Sequence, residues 1–270
     1  VLQAIAAGDD IVVTGVNDHS RYRPLVSDWC RFWRTIARVN KRTIVPVVIA
    51  FDSVLSDFDE RDQGSIVLAD SPPGVPSALA AQMSRIIWPG TLPQGTGYVI
   101  TTDVDMLPLS MKLLDAARAR AADSFVIARN VLEADGQFPI CYSVATPGLW
   151  REVFSSSGDF ASDLSSAIDA GSAYSGTHGG TGWFTDQEYL FERVTEWERH
   201  GGSVVRLLDE DTNHHRLDRT SSRTRTVLSS PLVAAQRWTD YHSYEPSPAT
   251  TAINAWIHFW LARQRNPQES

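Results

Sequence analysis

The stretch Tyr98-Val-Ile-Thr-Thr-Asp103-Val-Asp105-Met-Leu-Pro108 decides how the rest of this 270-residue chain reads. Its apolar, β-branched start, Tyr98 to Ile100, predicts a buried strand. The strand ends in two aspartates one residue apart, and Pro108 keeps it from running on as a central strand. Two carboxylates at the end of a buried strand, with no basic neighbour in sequence, are costly unless a positive charge sits beside them. A divalent, oxygen-seeking cation meets that need, because Mg2+ and Mn2+ combine one or two carboxylates with substrate phosphates. The carboxyl ends of strands in an α/β sheet are also where ligands gather. The expectation is a metal-bridged diphosphate at Asp103 and Asp105; the alternative is an exposed turn whose aspartates only cap the next helix.

Upstream, the pattern alternates strand and helix. Ile11 to Val16 predicts a first strand ending in Asn17, and Val26, Trp29, Cys30, Trp33 and Ile36 then recur at helical spacing. Thr43 to Phe51 and Ser65 to Ala69 predict two more strands, closed by Asp52 and Asp70. A helix over 77–87 turns Leu79, Met83 and Ile87 to one side and leaves Gln82 and Arg85 elsewhere on its surface. Downstream, a helix over 109–122 and a strand over 124–128 continue the alternation, which implies an α/β fold with a mainly parallel sheet flanked by helices.

The second half is less regular. A strand over 140–145 leads into a helix opened by Thr146 and Pro147, an N-cap and a first-turn proline. A short helix over 159–170 and a glycine-rich loop over 176–182 follow; the loop does not have the residue order of a P-loop. Thr185 and Glu188 read as a capping box, with Phe184 and Tyr189 as its hydrophobic staple, and Asp186 and Gln187 fall in the first helical turn. A strand over 203–208 precedes a polar, arginine-rich stretch over 213–225 that reads as a mobile or acceptor-facing loop. The segment 238–246 is dense in aromatics and histidine, and 250–265 predicts an amphipathic helix. With no internal repeat or linker, residues 1–270 read as a single domain with an elaborated C-terminal third.

At 43% hydrophobic and 21% charged residues, the composition is that of a globular chain with a full core. A net charge of -8 argues against nucleic acid or an anionic bilayer as a partner, though a local basic cleft could still hold a nucleotide. Cys30 and Cys141 lie in apolar surroundings without metal-ligand spacing and read as buried thiols of a reducing compartment. No run of about 18 apolar residues stands in the sequence, and with no charged region ahead of an apolar core near Val1 the expectation is a chain without an export signal. The expectation is a cytoplasmic protein without an integral membrane segment; core packing is the main role of the aromatic C-terminal helix, and peripheral contact with the inner face of the membrane its lesser one.

Taken in order, the strand ending at Asn17, the Arg85 helix, Asp103-Val-Asp105, the Trp150 helix, the Asp186-Gln187 pair and the late His242 resemble the GT-A glycosyltransferases. The likeness is to the retaining transferases of glycosyltransferase family 8 and their relatives, and it spans most of the chain. It implies a nucleoside-diphosphate sugar as donor and a carbohydrate, lipid-linked or small-molecule hydroxyl as acceptor. Residues 1–130 would form the nucleotide-sugar half and residues 131–270 the acceptor half. Asp103, Asp105 and His242 would hold Mn2+ or Mg2+, and the imidazole tilts the choice towards Mn2+; His214 and His215 are rival ligands. Asp186 would accept hydrogen bonds from the donor sugar, and Gln187 would lie close to the anomeric carbon.

Arg85 would hold sugar or phosphate, its alternative being a solvated helix face. Thr14, Gly15 and Asn17 would line the nucleotide site, with Tyr22 stacking on the base or packing in the core. Asp70 would meet base or ribose, or else is a turn residue. Two departures point to a neighbouring family rather than family 8 itself. Pro139-Ile-Cys-Tyr-Ser143 stands where those enzymes commonly carry Asn-Ala-Gly, and no lysine follows His242, so Arg219, Arg223 or Arg237 would supply the phosphate contact. The other functional readings are a sugar-nucleotide nucleotidyltransferase, which Gly15-Val-Asn-Asp-His19 disfavours because it lacks a glycine- and arginine-rich loop, and a non-catalytic nucleotide-sugar-binding module.

Overall fold

Ile11, Val12 and Val13 are wholly buried, as residues of a parallel strand covered on both faces must be. The computed structural model describes residues 5, 8–18, 21–168, 173–177, 179–218, 238–243 and 246–263. In it these three valine and isoleucine residues belong to β1 (Asp10–Val16), flanked in parallel by β2 (Ile44–Phe51) and β4 (Val99–Thr101). With β3 (Ile66–Ala69), β6 (Phe125–Ile127), β7 (Ser143–Ala145) and β8 (Val204–Arg206), they make a seven-stranded sheet in the order β3-β2-β1-β4-β7-β6-β8. Only β7 runs against its neighbours β4 and β6.

Period-two alternation along β1 sends its side chains into two cores. Val12 and Val16 join Trp29, Trp33 and Ile36 of α1 (Val26–Val39), together with Leu113 of α3 (Lys112–Arg118). Ile11 and Val13 pack on the other face with Leu79 and Met83 of α2 (Ser77–Ile87), Trp150 of α4 (Pro147–Phe154) and Leu190 of α6 (Thr185–Arg199). Each fully buried side chain of this size contributes about 1.5–3 kcal/mol. Gly15 faces α2 so closely that a Cβ would lie 1.9 Å from the Ala81 carbonyl oxygen, so glycine is required where the helix crosses the strand end.

A second sheet, absent from the sequence-based expectation, closes the C-terminal side. It has three short strands, β5 (Met106–Pro108), β9 (Arg216–Asp218) and β10 (Asp240–His242), in the order β5-β10-β9. Pro108 is tolerated because β5 is an edge strand. The helix expected from residue 109 starts only at Lys112, because the Leu109 and Ser110 amides are spent on the Thr239 carbonyl, 2.9 and 3.1 Å away. The C-terminal helix, α8 (Pro248–Ala262), carries Ile257 and Leu261 into the α1-side core. Between these elements lie α5 (Phe160–Ala167) and the short α7 (Asp209–Thr212).

The stretch expected as an acceptor-facing loop is ordered where it is described: residues 213–218 end α7 and form β9, and Arg216 is drawn into the interior by Asp240. Arg219, Arg223 and Arg237 lie outside the described residues. The Thr185 capping box also gives way to a different start. Phe184 takes the cap position, and the Thr185 hydroxyl donates back to the Gly182 carbonyl at 2.8 Å.

Candidate active site

β4 stops at Thr101 because the chain must turn from the large sheet into the small one. The Thr102 amide still reaches the Val13 carbonyl at 3.1 Å, and the Met106 amide closes a turn onto the Asp103 carbonyl at 3.1 Å. Asp103 and Asp105 therefore sit at the seam of the two sheets, and the Ser243 amide pins the Asp105 carbonyl there at 2.8 Å. They line a cleft of about 300 Å³ that also receives Gly15 and Asn17 from the end of β1, Arg85 from α2, Asp186 and Gln187 from α6, and His242 from β10.

Two expected residues lie elsewhere. Thr14 is wholly buried and does not line the cleft; alternation along β1 turns it to the α1 side, opposite Gly15. Asp70 is exposed at the end of the edge strand β3, two strands away from β1, and does not line it either. The rival histidines are also outside the lining. His214 is buried, with its Nδ1 on the Thr239 hydroxyl at 2.7 Å, and His215 is exposed beside Asn213.

Arg85 is not on a solvated helix face: it is 7% exposed and forms ion pairs with both Asp103 and Asp186. Burial opposes its charge, but the two carboxylates more than compensate and raise its pKa further above the ordinary value. Asp186 is 1% exposed, and burial raises its pKa against the pull of Arg85. Both its oxygens are engaged, one by Arg85 and the other by the Gln187 amide at 2.9 Å. The second oxygen of Asp103 accepts from Cys141 Sγ at 3.4 Å, whose thiol burial pushes up to about 12 and so keeps protonated.

The His242 imidazole stands between two carboxylates. Its Nδ1 is 3.4 Å from Asp218 and its Nε2 is 3.2 Å from Asp105 Oδ2. A histidine oriented by a carboxylate on one nitrogen commonly offers the other to a cation. Two adjacent ligands on one six-coordinate ion, each about 2.1 Å from it, are about 3 Å apart, so the Asp105–His242 spacing fits a shared cation. Asp103 does not complete a triad here, since Arg85 holds it, and no group of three metal-ligating side chains stands together among the described residues. The donor set that fits is therefore two side chains, with the remaining positions left to phosphate and water.

Sequence reasoning missed the aromatic side of this cleft, where Tyr174, Trp183 and Phe184 line the wall beside Tyr22. The only signal for it was that aromatics flank the glycine-rich loop. It also missed a second buried network behind the cleft. There Asp240 accepts from Arg216 at 3.1 Å and from the Tyr142 hydroxyl at 3.1 Å, while Arg216 reaches Cys141 Sγ at 3.6 Å.

No protein-family model matches the chain, and no curated protein matches its sequence. Solved structures do. The glycosyltransferase GlyE of Streptococcus pneumoniae TIGR4 aligns with a TM-score of 0.50 at 11% identity, over 95% of this chain and 62% of GlyE. The galactosyltransferase LgtC, solved with donor and acceptor sugar analogues, aligns with a TM-score of 0.47 at 14% identity, over 96% and 98%. A 4-diphosphocytidyl-2C-methyl-D-erythritol synthase aligns with a TM-score of 0.40 at 10% identity, over 83% and 97%. The GlyE likeness establishes the GT-A fold, and the chain spans less than two thirds of GlyE's length. No helix among the described residues is long and apolar enough to cross a membrane.

Proposed function

We propose that this protein is a metal-dependent glycosyltransferase that moves a sugar from a nucleoside-diphosphate sugar to a hydroxyl acceptor with retention of configuration. The observation that carries the reading is the convergence in one cleft of residues as far apart in sequence as Gly15, Arg85, Asp103, Asp186 and His242. Gly15 and Asn17 flank the nucleotide, and residues 1–130 supply that half; residues 131–270 supply the acceptor half. Asp105 and His242 would hold Mn2+ or Mg2+, with Asp103 kept beside them by Arg85, and the ion would supply Lewis-acid assistance to the leaving diphosphate.

Arg85 and Asp186 present a donor and an acceptor to the sugar hydroxyls, and Gln187 lies beside the anomeric carbon. The bond from that carbon to the diphosphate breaks as the acceptor oxygen attacks on the same face, and the acceptor proton passes to a departing phosphate oxygen. Retention is favoured over inversion because Asp186 is committed to Arg85 and the Gln187 amide, which leaves it poorly placed as the base an inverting enzyme requires. The acceptor is a carbohydrate, lipid-linked or small-molecule hydroxyl, and the work is placed in the cytoplasm or at the inner face of its membrane.

A thermal-shift panel of UDP, GDP, ADP and TDP, with and without Mn2+, tests the reading. One nucleotide should raise the melting temperature by several degrees with Mn2+ and far less without it, as expected for a ligand well above its Kd. Asp105→Asn should abolish the metal-dependent part. No shift with any nucleotide would sink the donor reading, and an equal shift without metal would sink the metal's role.

A further inference from the structure

The cleft is divided in character. Its lining joins a polar set, Asp103, Asp105, Asp186, Arg85 and His242, to Tyr174 and Trp183 from the two ends of the loop before α6. Their rings are nearly parallel, at 16° with centroids 6.5 Å apart. The pair is built into the loop. The Ser175 amide donates to the Thr181 carbonyl at 2.9 Å, bringing the loop's ends together. Between them Gly182 adopts φ +77°, and a Cβ there would lie 2.3 Å from the Ala173 carbonyl oxygen. Gln82, one turn before Arg85 on α2, donates to the Trp183 carbonyl at 3.4 Å. The helix that orients Asp186 through Arg85 thus also anchors the aromatic pair. Burial and the nearby Asp186 charge raise the Tyr174 hydroxyl to about 12, which keeps it neutral.

A ligand matched to both sets must offer hydroxyls along its rim and C–H groups on its face. A pyranose ring does both: its hydroxyls suit carboxylates and guanidinium, and its axial C–H bonds suit the electron-rich face of an aromatic ring. A planar nucleobase would use the aromatic wall but offers few hydroxyl partners for Asp186 and Arg85. We propose that Tyr174 and Trp183 form a sugar-stacking wall that takes the C–H face of a pyranose, either the donor's sugar or the acceptor's terminal one. The inference deepens the transferase reading and rests on it for the identity of the two sugars.

The test compares wild type with Tyr174→Ala, Trp183→Ala and Trp183→Phe, each checked for an unchanged melting temperature. Binding of the nucleoside diphosphate that stabilises the protein is measured beside binding of its nucleotide sugars, and transfer is followed against a panel of methyl glycosides and disaccharides. Saturation-transfer NMR on the methyl glycosides alone gives a reading that needs no nucleotide.

If the wall takes the donor, both alanine variants weaken nucleotide-sugar binding about tenfold, leave the bare nucleotide unchanged, and Trp183→Phe restores most of the loss. If it takes the acceptor, nucleotide-sugar binding holds, the KM for the glycoside rises about tenfold, and ring C–H saturation in wild type disappears in Trp183→Ala. Equal loss of bare nucleotide and nucleotide sugar would make the wall a base platform and overturn the proposal. Unchanged binding, transfer and saturation in both alanine variants would overturn it as well. A wild type that binds no nucleotide removes the transferase reading, and the glycoside saturation then decides the wall by itself.

Discussion

Two arginines in this protein are each paired with a buried carboxylate, and they do different things. Arg85 joins Asp103 and Asp186 at the wall of the cleft, where the Asp103 side chain is 39% exposed. Arg216 joins Asp240 across two neighbouring strands of the small sheet; Asp240 is 1% exposed, and neither residue lines the cleft. The same ion-pair chemistry is therefore open to substrate in one place and closed in the other. A buried ion pair is weak evidence for stability, because desolvation offsets much of the attraction, but removing one partner strands the other charge. The comparison teaches that burial and pairing do not mark a functional arginine; position on the cleft does.

Double replacement should separate the two arginines most sharply. Arg216→Met alone should cost about 3–5 kcal/mol of stability by leaving Asp240 unpaired, and Arg216→Met with Asp240→Leu should recover most of it while keeping transfer activity. Arg85→Met with Asp186→Leu should likewise recover stability, yet lower kcat by about 10²–10³, the loss expected when groups aimed at developing charge are removed. Urea unfolding and initial rates on the four proteins check this. Full activity in the Arg85 double variant would erase the distinction.

Titration sharpens the closed network. His214 is buried 3.6 Å from Asp240, and burial lowers its pKa from 6.5 to about 4. Between those values the unfolded chain binds the proton and the folded protein does not, so stability falls as pH drops from about 6.5 to 4. The loss attributable to this residue is on the order of 3 kcal/mol. Asp240, held below the ordinary carboxylate range by Arg216 and His214 against its own burial, adds to the loss only at still lower pH, as its folded pKa is approached. Replacing His214 by Asn should flatten the upper part of the curve in denaturant titrations at stepped pH.

A smaller effect probes the open network through its scaffold. Gly15→Ala forces α2 away from β1 and should cost about 1–3 kcal/mol, as overpacking does. Because α2 carries Arg85, nucleotide-dependent stabilisation should fall in the same variant. Thermal shift with and without nucleotide separates the two losses, and an unchanged nucleotide response would mean that Arg85 keeps its place despite the shifted helix.

The large sheet was legible before any coordinates because its strands need nothing from far away to be recognised. A run such as Ile11 to Val13 is apolar at every position since both faces are covered, and that composition is visible locally. Strand-end positions followed from it, so Gly15, Asn17, Asp103 and Asp105 could be named as cleft residues. Thr14 could not be separated from Gly15, because which face of a strand meets the ligand depends on the helices packed on it. The small sheet was not legible. Three-residue strands such as Met106–Pro108 and Arg216–Asp218 carry too few residues for a period to register. β10 completes the hydrogen bonds of both, reaching β5 from more than a hundred residues away and β9 from the far side of the intervening segment.

Local pattern alone settled the alternation of strand and helix, the two-faced burial of the main sheet and the two aspartates at a strand end, because period and turn chemistry act over a few residues. Tertiary structure decided which charges pair, which histidine meets Asp105, and which aromatics share the cleft with the carboxylates. Those outcomes depend on distances between segments far apart in the chain, and long-range electrostatics and packing leave no imprint on neighbouring residues.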